Sequence, residues 1–545
     1  MRFLSLLGTV AALLALTAPL SAQSNLRPGT DVSLGILGPI DEVGRSGTYP
    51  NGTQAVAMET TSCNLGSVNV PWAAAMGEDH PLIAFLVARE TNGRLIQISD
   101  RSYLKHGFYA LSDSQCTPCR NPSNGSFLGV GCSDTYAIGN NSDNYWLGPP
   151  AEIDPWLGTW TARCSFFDLG TSGVTCDGNR SFTQTQARGL GPVGNRVRLQ
   201  DSDLSVAGST FWYQGMYVIR GEPEAVRTNN LTSRGMTATW TGASWNVSTN
   251  SVPQLFGSVL QRWSGATMSS AANGAADGRV YLAHRVTRNT GGFHYEYALH
   301  NRDNAGAISS FTLPICPGTS IRNFGFHDVD QSAANEWTMS VQGAQVVFTA
   351  PAGNALEWNT IFNFWFDSDA APVSSSSILL GQARLNAGAQ PAFAIDGVAP
   401  LGRFNVYLGA GCGAPNAPVM TPGGLVPRAI PGNQGFGFDV SLAGSGSTVV
   451  LLGSIYSGTT NLAPGCDLYM SLLPGQDYIT FLSATMGPLG TGFLALPVPL
   501  LPALEGLAID FQAVEVQPGS GALFGAYDLS NGWRVRFGAG ITTCP

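Results

Sequence analysis

Arg279-Val280-Tyr281-Leu282-Ala283-His284-Arg285-Val286 sits in a chain with little helical periodicity, and alternation of this kind decides its fold. In an extended backbone successive side chains point to opposite faces, so Val280 and Leu282 share one face and Tyr281 and Ala283 the other. Glu336-Trp337-Thr338-Met339-Ser340-Val341-Gln342 repeats the pattern more strictly, with Trp337, Met339 and Val341 apolar between polar neighbours. Turn residues separate such runs along the chain, which is the signature of sandwiches and barrels. The expected fold class is mainly β: tandem β-sandwich-like modules behind a Cys-rich, loop-rich N-terminal domain.

The composition supports this reading. Hydrophobic residues make up 44% of the 545, enough for several cores, while charged residues are 12%, about half the usual share. The 67 glycines suit strands joined by tight turns. Residues 1–22 read as a signal peptide: Met1-Arg2, an apolar run from Phe3 to Leu20, and a small residue, Ala22, at the cleavage point. Export to the extracellular space or the cell surface is therefore expected. No later run reaches the ~20 apolar residues a transmembrane span needs, and Pro497, Pro499 and Pro502 interrupt the best one. A net charge of −9 argues against nucleic acid as a partner and against docking on anionic lipid.

Three modules are expected. Residues 23–227 form the Cys-rich N-terminal domain and residues 228–385 a β-sandwich-like middle module. Residues 386–402 read as a linker, with Ser374 to Ser377 already loose. Residues 403–545, with only 11 charged residues, form a C-terminal β-sandwich module.

Ten cysteines in an exported chain allow up to five disulfides. Spacing suggests that Cys164 closes a short loop with Cys176 and that Cys412 pairs with Cys466. Cys116-Thr117-Pro118-Cys119 is a CxxC without a βαβ context, so with Cys63 and Cys132 it reads as structural disulfides, a metal knot being the competing reading.

Several of these stretches carry a resemblance. Thr61 to Gly66, Leu104-Lys105-His106-Gly107-Phe108, Leu128 to Tyr136 and Arg198 to Leu204 resemble the first module of uncharacterised exported multi-module proteins of planctomycete-like environmental bacteria. His294 to Ala298, Phe326 to Asp330 and Asn359 to Asp367 are similar to their middle module, and Gly409 to Cys412 with Gly532-Trp533 to their tail. The resemblance implies architecture and export, and no activity. The pair Cys164 and Cys176 departs from the first module's pattern.

Candidate chemistry is sparse. There is no G-x-S-x-G, no H-E-x-x-H and no Walker loop. His294-Tyr295-Glu296-Tyr297-Ala298-Leu299-His300 places both histidines and Glu296 on one strand face, the tyrosines on the other. His294 and His300 lie ~20 Å apart along such a strand, so a transition-metal site there would use His294 and Glu296 with His327 or Asp328. The competing reading is a solvated polar face. Asp201/Asp203, Asp328/Asp330 and Asp367/Asp369 are Asp-x-Asp pairs whose hard oxygens suit Ca²⁺.

Lys105 is the one lysine among 27 basic residues and stands beside His106, one of six histidines. A genome rich in G and C accounts for most of the arginine bias. A confined site that needs a compact ammonium is the alternative. It predicts a buried Lys105 paired with Asp134 or, second, Glu152. His106 with Cys132 or Asp134 is a remote catalytic candidate, since an exported cysteine is normally bonded. Tyr145-Trp146, Trp156 and Trp160 offer rings for sugar stacking or for burial. The function expected is non-catalytic binding or structure at the cell surface, with a glycan or another envelope component as partner. The alternative is a metal-dependent extracellular enzyme centred on His294, Glu296 and His327.

Overall fold

The computed structural model describes residues 25–538 and 542–543, apart from 74–75, 171–174, 290–291, 317–318, 331, 404, 425 and 477. The expected signal peptide lies outside the described residues. The chain is mainly β, and its helices are single turns or little more, as in Gln184–Gly189.

Two sheets build the first module. One orders Val32–Ser46, Thr53–Asn64 and Val197–Gln200, with Ser133–Tyr136 also on Thr53–Asn64. The other runs Trp245–Thr249, Leu231–Trp240, Thr210–Val218, Leu82–Thr91, Leu104–His106, Leu147–Gly148. Leu34, Leu37, Met58, Phe85, Val87, Tyr213 and Tyr217 fill the space between them. Each such side chain contributes about 1.5–3 kcal/mol by leaving water. Asn92-Gly93 joins Leu82–Thr91 to Arg94–Gln97 as a two-residue hairpin; both take positive φ, 53° and 79°. That turn needs the left-handed region twice, which Asn tolerates and Gly adopts freely.

The middle module packs a five-stranded sheet against a six-stranded one. The first runs Thr267–Ala272, Arg279–Asn289, Gly292–Asn301, Thr360–Ser368, Ile321–His327. The second includes Ile308–Pro314, Ala371–Gln382 and Ala392–Arg403 and ends on Thr542–Thr543 from the far end of the chain. Tyr295, Tyr297, Leu299, Phe311, Phe348, Phe364 and Phe366 form its core. The C-terminal module sets Asn405–Gly409, Gly525–Arg536, Ala508–Gly521, Thr448–Ser454 and Ile479–Thr485 over Val419–Gly423, Gly437–Ser441 and Gly492–Ala495.

Two expected boundaries move. The break at 227/228 falls inside the first module, because Leu231–Trp240 pairs with Thr210–Val218 and extends that sheet. Residues 386–402 are not a linker as a whole, because Ala392–Arg403 pairs with Ala371–Gln382, which also absorbs Ser374 to Ser377. Strands rich in Ser, Thr, Gly and Ala, such as Ala371–Gln382 and Leu231–Trp240, have the composition of a loop, and only their ladder partners separate the two.

Disulfides join Cys63 to Cys116, Cys119 to Cys132, Cys164 to Cys176 and Cys412 to Cys466. Cys316 is bonded as well. The CxxC cysteines thus bond outward to two different partners, which leaves neither a redox dithiol nor thiolates for a metal knot. Bonding of this density fits an oxidising compartment.

Candidate functional site

The Lys105–His106 dipeptide lies on Leu104–His106, between Ile83 on one neighbour and Leu147 on the other. Alternation sends Lys105 to one face and His106 to the opposite one. Lys105 is fully buried. Its Nζ lies 4.2 Å from the Phe108 ring centroid, 5.1 Å from Trp146 and 5.4 Å from Tyr136. Among the described residues it has no hydrogen-bond acceptor.

Burial was expected and is found; pairing with a carboxylate was expected and is not. Asp134 accepts from the Leu111 N–H at 2.8 Å and from Trp72 Nε1 at 3.0 Å. Glu152 accepts from the Phe166 N–H at 2.7 Å and from Trp160 Nε1 at 3.2 Å. Both carboxylates satisfy backbone and indole donors that would otherwise be buried unpaired, and that requirement outranks a lysine. Burial raises the Asp134 carboxyl to about 6. Burial drives the Lys105 amine well below the ordinary lysine range, with Asp143 and Asp134 opposing the shift and Arg180 adding to it.

On the other face, His106 Nδ1 and His80 Nε2 are 2.8 Å apart, and His80 Nδ1 is 2.5 Å from the Gly77 carbonyl. The carbonyl can only accept, so His80 Nδ1 carries a proton and Nε2 accepts from His106 Nδ1–H. Both rings are then neutral. Burial holds His80 at about 4 and lowers His106 well below the usual imidazole value. The edges of Trp160 and Phe167, each 4.9 Å away by centroid, close around His106. His106 Nε2 stands unpartnered beside Gly148, where a Cβ would come within 2.6 Å. A cavity of ≈ 10 Å³ between Arg27, Asp79 and His80 has room for about one water. Cys132 is bonded to Cys119, so no thiol faces His106. The arrangement is a sealed pair of neutral bases within the module.

The second candidate lies on Gly292–Asn301. Tyr295, Tyr297 and Leu299 point into the middle module's core as expected. The first module covers most of the opposite face, while His294 near its end stays 29% exposed. Leu86, Ala88 and Leu95 pack there against Ala283, Ala298 and Ile361. Glu296 receives both arms of Arg94, Nε to Oε2 at 2.8 Å and Nη2 to Oε1 at 2.5 Å. The Arg94 guanidinium carbon lies over Trp365, 3.5 Å from the ring centroid. Gly325 makes room for Trp365, whose ring a Cβ at that position would meet at 2.2 Å.

His294 bridges two carboxylates, with Nδ1 2.6 Å from Asp367 Oδ1 and Nε2 2.8 Å from Glu296 Oε1. The Glu296 and then the Asp367 hydrogen bond raise its pKa against the opposing cost of burial. An imidazolium donating at both nitrogens has no lone pair for a metal. His300 is sealed, its Nδ1 2.8 Å from Ser258 Oγ.

The metal quartet is not brought together. His294 pairs with Asp367 and His327 with Asn363 on Thr360–Ser368, four residues or ~13 Å along that strand, and they flank it on opposite sides. Asp328 is held by Asn354 Nδ2 at 2.6 Å. The other Asp-x-Asp oxygens are shared out likewise: Asp201 to Arg45, Asp203 to Arg89, Asp369 to the Ser320 N–H. Among the described residues no three His, Cys, Asp or Glu side chains are placed to share an ion.

Around Arg94 a polar seam crosses between the modules. Asn359 Nδ2 donates to the Phe85 carbonyl, Asn363 Nδ2 to the Leu95 carbonyl, and the Ile361 N–H to Gln97 Oε1. Arg227 Nη1 reaches Asp303 Oδ2 at 3.0 Å. Sequence reading missed His80, Arg94 and Trp365. Asp367 was visible only as half of an Asp-x-Asp pair. Their partners lie 26 to 202 residues away or across a ladder, beyond any local pattern. Of the candidate sugar-stacking rings, Trp156 and Trp160 are buried, and Arg180 lies 3.9 Å over Tyr145 and 4.9 Å over Trp146.

No family description matches the chain, and no curated protein matches it. Among solved structures, BcpA, the major pilin subunit of Bacillus cereus, aligns over 62% of this chain and 84% of its own, with a TM-score of 0.18 and 8% identity. Escherichia coli alpha-2-macroglobulin activated by porcine elastase aligns over 94% of this chain and 37% of its own, with a TM-score of 0.14 and 7% identity. Likeness this low carries no argument.

Proposed function

We propose that the chain is an exported, non-catalytic component of the cell surface, which binds or builds envelope material, with a glycan as the first partner to test. The supporting observation is the seam at Glu296. Glu296, the carboxylate best suited to metal or acid–base chemistry, is taken by Arg94 of the first module, and His294 is held by two carboxylates of its own sheet. Arg94 and His294 occupy Glu296 from two sides. A structural role explains why so many buried charges are paired across modules rather than held free for a substrate. The resemblance to exported multi-module proteins of environmental bacteria agrees with this role.

The test combines fractionation of the source cells with binding of the purified exported chain to a glycan array and to isolated envelope. Surface enrichment with saturable envelope binding is expected. Turnover of a glycan or peptide panel, abolished by Glu296→Gln in a variant that keeps its melting temperature, would replace this reading with an enzymatic one.

A further inference from the structure

The C-terminal module ends one of its sheets on Ile479–Thr485, whose outer side has no ladder partner among the described residues. Leu482 and Ala484 pack inward against the sandwich core. The strand's sequence, Ile-Thr-Phe-Leu-Ser-Ala-Thr, carries no charge and no proline, two of the devices that keep an edge from pairing. The one irregularity in its inner pairing, at Phe481, sets that ring 5.2 Å from Phe511.

The same end of the module exposes large apolar side chains. Ile479 is 61% exposed and Leu473 64%, with Ile455, Leu472, Tyr478 and Phe481 also exposed. They are neighbours in space. Gly453 pairs with Ile479, and the Ser471 N–H donates to the Tyr456 carbonyl, which brings the loop after Thr448–Ser454 beside the segment before Ile479. At ordinary residue areas these six residues expose roughly 600 Å², at the upper end of what monomers expose and below the ~800 Å² each partner gives to a standard interface, which the strand edge itself extends.

We infer that this surface is a self-association site, with Ile479–Thr485 of one copy pairing antiparallel with the same strand of a second copy. The outward N–H and C=O groups of an edge need partners, which an apolar lipid surface cannot supply and another strand can. Residues 455–485 contain Asp467 and Asp477 and no basic residue, so anionic membrane is disfavoured. Antiparallel pairing of identical strands is two-fold symmetric, so the interface closes at a dimer and joins two five-stranded sheets into one. The inference stands whether or not the envelope role holds.

The test is sedimentation velocity of the exported chain, alongside a Leu473→Lys, Ile479→Lys variant. Both positions are mostly exposed in the single chain, so at concentrations low enough to keep both proteins monomeric their melting temperatures should match. The wild type should sediment as a dimer at about 10 µM, with the variant's self-association at least tenfold weaker. Hydrogen exchange should show the 479–485 amides protected in the dimer and released in the variant. A wild type that stays monomeric at about 100 µM overturns the inference. So does a dimer indifferent to the substitutions, or one whose 479–485 amides exchange as in the monomer. Flotation of a monomeric wild type with phosphatidylcholine vesicles, lost in the variant, would assign the patch to lipid instead.

Discussion

Lys105 directs its side-chain nitrogen at the face of Phe108, 4.2 Å from the ring centroid, with no hydrogen-bond acceptor in reach among the described residues. Two effects compete there. Aromatic faces favour the charged amine by up to about 2 kcal/mol each, while burying an unpaired ammonium costs several kcal/mol or more. Desolvation wins, which is why its pKa falls well below the ordinary range.

Replacing that amine with a thioether of similar shape should therefore help. Lys105→Met is expected to raise unfolding stability by about 1–3 kcal/mol at pH 7, read from urea melts. The gain should shrink as pH rises toward 10.5. Above the folded pKa and below the unfolded one, the unfolded chain binds the extra proton, so wild-type stability climbs with pH in that window. A gain that does not change with pH would contradict a neutral buried amine.

Arg94→Ala should destabilise the seam by about 2–4 kcal/mol, because it strips Glu296 of a bidentate partner and Trp365 of its stacked guanidinium. Arg94→Lys should recover less than half of that loss, since an ammonium cannot form the fork. The readout is the urea midpoint, with faster proteolysis between the first two modules as the companion signal. Equal stability of the Lys and wild-type proteins would deny the fork its role.

His294 makes the seam pH-dependent on both sides. Its pKa is raised in the fold, so its contribution is complete below the unfolded value of 6.5 and is lost as pH rises through the folded one. Asp367 is lowered, chiefly by Asn323 and then His294 against the cost of burial, so its contribution is complete above 3.8 and lost as pH falls through its folded value. The stability difference between wild type and His294→Gln should peak at mildly acid pH and decline in both directions. Chemical denaturation at a series of pH values gives the profile, and a maximum above neutrality would refute the bridge.

Cys412 and Cys466 close a loop with a sequence separation of 54 residues. Replacing both with serine should cost the C-terminal module about 4 kcal/mol through a less constrained unfolded state. The expected calorimetric trace shows that module's transition moving down while the other two stay in place. An unmoved C-terminal transition would mean the loop is held by packing instead.

Alternation along Arg279–Val286 and Glu336–Gln342, scarce helical signal and frequent glycine were enough to read a mainly β, multi-module chain. Cysteine spacing alone also suggested the Cys164–Cys176 and Cys412–Cys466 pairs. These features are local: the period of a strand and the closure of a loop are written in consecutive residues. What a strand's second face meets is not. His294, Glu296 and Ala298 share a polar-looking face whose covering, Arg94 and Leu95, comes from about 200 residues earlier. Lys105 could be recognised as confined, but its neighbours could not: the carboxylates chosen for it were already committed to Leu111, Trp72, Phe166 and Trp160. Buried donors must be satisfied wherever the fold brings them. The tertiary packing therefore decided which charges became partners, and left Lys105 facing only aromatic rings.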